Sequence, residues 1–189
     1  MMALLTAALP AHGQERGRSL YQLYGGYSFL SNTPNGSPGA HHPLNGFEAS
    51  LAMLDWHHLR FKLDASEYRG SNLDAHQHEM LITAGGEYGR HFGPEYGYLE
   101  ALIGDAAVNH HWAEGGNTGQ TASIATLIGG GLDTPLRRRL VLRVQADFLY
   151  TNLNPDLAKI PSTYPVYPSP IHGLPNYFAR AGAGLAWSF

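Results

Sequence analysis

Apolar and polar side chains alternate along most of this chain with a period of two. At that spacing, successive side chains of an extended strand point to opposite faces. The cleanest run sets Leu59, Phe61, Leu63 and Ala65 against Arg60, Lys62, Asp64 and Ser66. The same pattern predicts further strands over about Ser19–Leu30, Asn45–Leu54, His76–Tyr88, Tyr96–Val108, Thr121–Asp133, Leu140–Tyr150 and Asn176–Phe189. Asp105 falls on the apolar row of its strand, which predicts a bulge or an early strand end there.

Between the strands stand residues that favour turns. Asn32–Gly39, Arg69–Ala75, Asn109–Gln120 and Asn152–Pro175 read as four longer loops. Asp55–His58, Gly89–Pro94 and Thr134–Arg139 read as three short turns. All twelve prolines avoid the proposed strands, as a hydrogen-bonded ladder requires: nine lie in the stretches that join the first strand to the second and the seventh to the eighth, two in turns, and Pro10 in the leader. Eight strands joined by connections that alternate long and short describe an antiparallel up-and-down barrel.

Alternation alone does not say which row faces out. A soluble, lipocalin-like barrel binding a small apolar ligand would show the same pattern inverted. Glycines favour the charged row as the interior, because Gly46, Gly85, Gly104, Gly129, Gly131, Gly182 and Gly184 share it, and a narrow eight-stranded lumen is crowded. Six acids (Glu48, Asp64, Glu79, Glu87, Glu100, Asp147) and four bases (Arg60, Lys62, Arg143, Arg180) would then pair into a polar plug. Aromatics gather near strand ends, as in two interfacial girdles. Tyr27, Phe29, Tyr68, Trp112, Phe148, Tyr150 and Tyr177 lie toward one rim; Tyr21, Trp56, Tyr88, Phe92, Tyr96, Trp187 and Phe189 lie toward the other.

The last strand runs to the chain's final residue and ends on Gly184-x-x-Trp187-x-Phe189. This ending resembles the C-terminal signal of bacterial outer-membrane β-barrels, with Gly182 where a polar residue usually stands. From Ser19 to Phe189 the chain resembles the eight-stranded OmpA/OmpX type, in its barrel domain only. The resemblance implies a transmembrane barrel in the bacterial outer membrane, with short periplasmic turns and long extracellular loops. It implies contact with outer-membrane lipids and lipopolysaccharide, and with the barrel-assembly machinery through Gly184, Trp187 and Phe189. The role it implies is structural or surface-interaction, without a cofactor.

Composition agrees with a barrel. The 189 residues suit one domain, only 14% are charged, 23 are glycine, and no run of eighteen apolar residues predicts a transmembrane helix. A net charge of −3 offers no basic surface for nucleic acid. The absence of cysteine excludes disulfides and thiolate metal sites. Residues 1–13, apolar and ending Ala11-His12-Gly13, predict a signal peptide ahead of a barrel domain over 14–189.

Three candidate chemistries remain. Among eleven histidines, His76 and His78 share one strand face and are weak metal candidates, since zinc sites draw three or four ligands. A lipid A-modifying acyl-transfer site, the enzymatic alternative, would draw on His76, His78, Glu79, Ser71 and Ser123. Tyr164, Pro165, Tyr167, Pro168 and Pro170 make the fourth loop a candidate surface for an extracellular partner, and Arg137–Arg139 could touch phosphate headgroups.

Overall fold

In a computed structural model the chain closes into one eight-stranded antiparallel barrel in which each strand pairs with its sequence neighbours and β1 pairs with β8. The structure describes residues 21–31, 43–72, 75–112, 117–151 and 176–189. The strands are β1 (Tyr21–Ser31), β2 (Leu44–Trp56), β3 (Leu59–Asn72), β4 (Ala75–Phe92), β5 (Glu95–Trp112), β6 (Asn117–Pro135), β7 (Leu140–Thr151) and β8 (Asn176–Ser188). The expected signal peptide and the Pro/Tyr-rich stretch at 152–175 lie outside the described residues.

Register fixes the barrel's geometry. Following cross-strand partners once around leads from Tyr21 through Met53, Phe61, Gly86, Ala101, Ile128, Phe148 and Ala179 to Ser31. The path returns to β1 ten residues further along, a shear of 10 (Tyr21 to Ser31). With eight strands that shear tilts each strand by about 40° and makes each residue climb about 2.6 Å along the axis.

The faces sort cleanly. Lumen positions are buried, whereas Phe47, Ile82, Leu99, Ile103, Ile124, Ile128 and Phe148 are all 60% exposed or more on the exterior. A soluble barrel would expel this belt from water, so the lipocalin-like alternative is overturned and the exterior is built for lipid. The belt has a waist. Near mid-height every strand turns outward a residue without bulk: Gly25, Ala49, Ala65, Ala84, Ala101, Gly130, Ala146 and Ala183. Shear and tilt place them about 10–17 Å above the level of Tyr21. Gly25 and Gly130 on the outer row therefore belong to a ring of small residues.

Several expectations change in detail. The stretches Arg69–Ala75 and Asn109–Gln120 are largely paired strand, since Asn72 pairs with Ala75 and His111 with Asn117. Cross-strand pairing carries the ladder through polar residues that a turn-propensity reading takes for loops. Asp105 causes no bulge: it pairs in register with Ile82 and Ile124, and the irregularity comes later, between Asn109 and His111. Its carboxylate is exposed on the outer row about 23 Å above Tyr21, near the top of the belt, where a charge is tolerated. Pro135 ends β6, still opposite Val141. Tyr68 is fully buried in the lumen, and Tyr96 stacks on the buried Tyr98 beneath Arg60, so neither is part of a lipid-facing girdle.

Candidate functional site

The lumen holds the densest chemistry, in three tiers. Nearest the rim that carries Tyr21 and Phe189, Arg143 reaches Asp133 through Nε (2.7 Å) and NH2 (2.8 Å), and Gln22 through NH2 (2.9 Å). Arg60 pairs with Glu87 at 2.6 Å and donates to Gln22 at 2.9 Å. Both guanidinium groups lie over rings, Arg60 4.2 Å from Tyr96 and Arg143 4.5 Å from Tyr98. These contacts explain why two arginines tolerate a narrow interior: each donor edge meets an acceptor and each flat face meets an aromatic.

The middle tier centres on Arg180. It reaches Asp147 and Asp64 at 2.8 and 2.9 Å, with Glu100 and Glu48 at 3.6 and 3.7 Å. Lys62 pairs with Glu100 at 2.7 Å. Gln145 donates to Glu48 and accepts from Tyr98, which joins this tier to the one below. Glycine makes the room. A Cβ on Gly46 would overlap the carbonyl oxygen of Glu67, and one on Gly85 that of Ala101.

Above the charges the lumen turns apolar. Leu30, Leu44, Tyr68, Leu81, Ala106, Ala125, Leu149 and Phe178 form one buried cluster across the barrel. The sequence pattern carries only a faint trace of this tier, because an apolar residue on an inward row looks like an error of register. Leu30, Leu81 and Leu149 break the alternation in this way, and that break was its only trace. Glu79 also points inward at this level and is buried.

All ten candidate lumen residues point inward, nine of them buried and Arg60 with its side chain 14% exposed. Asp133, Gln22, Gln145, Tyr24 and Tyr98 share the interior and were not among them. Adding Asp133 makes the described lumen acid-rich, with seven carboxyl groups to four cations.

Among the other candidates whose side chains are described, His78, Glu79 and Ser123 do not come together. His78 faces outward and lies 2.9 Å from Glu67, whereas the adjacent Glu79 faces the lumen, so strand geometry sets the two on opposite sides of the wall. Ser71 and His76 are cross-strand partners, but Ser123 donates its hydroxyl to the carbonyl of Ile124. Among the described residues no group of three His, Asp or Glu side chains could hold a metal ion. Gly184 and Trp187 lie on the strand that closes the barrel, and Phe189 directly follows it. Phe189 exchanges two backbone hydrogen bonds with Tyr21, at 3.0 and 3.3 Å, and stacks on its ring.

No family model and no curated protein sequence matches the chain. Solved structures do. Neisserial surface protein A is 12% identical with a TM-score of 0.66, over 89% of this chain and 97% of that one. Ail, the attachment invasion locus protein of Yersinia pestis, is 13% identical with a TM-score of 0.59, over 91% and 100%. The N-terminal barrel of Pseudomonas aeruginosa OprF is 14% identical with a TM-score of 0.53, over 90% and 98%. At these identities the likeness is one of fold: the chain is an eight-stranded barrel of the kind found in bacterial outer membranes.

Proposed function

We propose that this chain is a small outer-membrane barrel with a structural or surface-interaction role, without catalysis and without a through-pore. The observation that carries this reading is the contrast between a lipid-facing exterior and a filled interior. Arg143, Arg180, Lys62 and Glu87 are each at most 1% exposed, and an apolar tier spans the lumen beyond them. An eight-stranded barrel has room for side chains and little more. The names of the two most similar proteins reported above, a surface protein and an attachment protein, support a role at the cell surface.

In this reading the rim with Tyr21 and Phe189 faces the periplasm, and the opposite rim is turned to the cell exterior, where an extracellular partner would engage. Outer-membrane lipids and lipopolysaccharide surround the belt, and Gly184, Trp187 and Phe189 engage the assembly machinery. The test is electrophoresis of the outer-membrane fraction with and without boiling, together with conductance in planar bilayers. A compact, heat-sensitive band and electrically silent protein are expected. A water-soluble protein, or steady channels, would sink the proposal.

A further inference from the structure

Among the described residues, Arg69 is the one arginine or lysine that points outward at the rim opposite Tyr21. Its cross-strand partner is His78, and Glu67 stands two residues before it on the same face. Glu67 Oε1 accepts from Arg69 Nε at 2.8 Å and from its NH2, and lies 2.9 Å from His78 Nε2. One carboxylate oxygen therefore fixes a guanidinium and an imidazole side by side. The contact to Glu67 uses Arg69 Nε and Nη2 and not Nη1, and the Arg69 side chain is 77% exposed.

Below this bracket the floor is aromatic. Tyr27 and Phe47, paired across β1 and β2, meet edge to face with ring centroids 5.9 Å apart. Rings and bracket border an open groove of about 390 Å³, lined by Tyr27, Asn45, Phe47, Glu67 and Arg69. Shear and tilt place Tyr27 about 15 Å, and Arg69 about 27 Å, above the level of Tyr21. The groove thus begins within the lipid belt and ends just past its upper edge. Acyl chains cover that part of the exterior, and headgroups begin where Arg69 stands.

We propose that this groove seats an anionic phospholipid-like molecule of the outer leaflet, its acyl chain over Tyr27 and Phe47 and its phosphate against Arg69. The inference rests on the outer-membrane reading above. A planar guanidinium matches phosphate oxygens, and one already held by a carboxylate loses less freedom on binding. His78 adds charge only when protonated, so the phosphate contact rests on Arg69. Glu67 cancels much of the long-range attraction, which makes this a short-range, geometric site.

The experiment is native mass spectrometry of the full chain in detergent. The probes are equimolar dimyristoyl phosphatidic acid and dimyristoyl phosphatidylcholine, which share acyl chains and differ in headgroup. The expected result is preferential retention of phosphatidic acid, reduced about tenfold by Arg69→Gln, the scale of one charge-assisted hydrogen bond. Phe47→Ala should weaken retention of both lipids, and Arg90→Gln, an exposed arginine at the other rim, should change neither. Equal retention of the two lipids, an unaltered ratio in Arg69→Gln, or the same loss in Arg90→Gln would overturn the proposal. Displacement of the lipid by millimolar inorganic phosphate would do so as well, by making this a free-anion site. Failure of the outer-membrane reading shows separately, as protein that stays in solution without detergent.

Discussion

Arg180 on β8 and Asp147 on β7 are direct cross-strand partners, and Arg180 Nε donates to Asp147 Oδ2 at 2.8 Å inside the barrel wall. Their strands are neighbours, so the pair ties the closing strand to the one before it. The pair sits in a lumen with more acids than bases, and this imbalance makes the partners unequal. Arg180→Ala leaves Asp147 and Asp64 buried without their cation, at a cost of about 3–5 kcal/mol. Asp147→Asn removes one surplus charge and keeps an acceptor for Arg180, so it should cost under about 1 kcal/mol. Urea denaturation in lipid vesicles checks both, and equal losses would refute the asymmetry.

The waist gives a prediction that depends on depth. Ala146 faces lipid near mid-height, so Ala146→Arg should cost about 2–4 kcal/mol of folding free energy. Ala122 occupies the same kind of outward row on β6 but lies about 31 Å above Tyr21, past the belt. Ala122→Arg should be close to neutral. Comparing the two unfolding midpoints in the same vesicles tests the position of the belt, and reversed costs would move it.

The turn between β2 and β3 is strained. His57 and His58 both adopt positive φ, at 51° and 72°, in a two-residue hairpin connection where Asn-Gly is favoured. Replacing the pair by Asn-Gly should raise stability by about 1 kcal/mol, since each β-carbon in the left-handed region is penalised. A melting temperature that fails to rise would show that the histidine side chains stabilise the turn by other contacts.

Phe189 closes the ring at the terminal rim through its backbone bonds and its stacking on Tyr21. Deleting Phe189 should slow barrel assembly in cells several-fold, while the purified protein still refolds in detergent. Parallel measurement of folded yield in both settings separates recognition by the assembly machinery from stability. Equal losses in the two would make Phe189 a purely structural residue.

Much of this was legible in the sequence, for a definite reason. A period of two survives any arrangement of strands, so Leu59–Ser66 declares its two faces without its neighbours. Proline and glycine mark where ladders break and where a lumen is crowded, and both act locally. Which residues meet across the barrel is another matter. Shear is a property of the closed ring, and only the tertiary structure set it at 10, brought Arg180 to Asp147 and put an alanine or glycine of every strand on the exterior within a band about 10–17 Å above Tyr21. The same closure turned polar residues such as Arg69 and Asn72 into strand, because a pairing partner outweighs the local preference for a turn. It also gathered Leu30, Leu81 and Leu149 into an inner apolar tier. Local chemistry determined the strands and their faces. Ring closure decided depth, partners and what fills the lumen, because those depend on register summed over all eight strands.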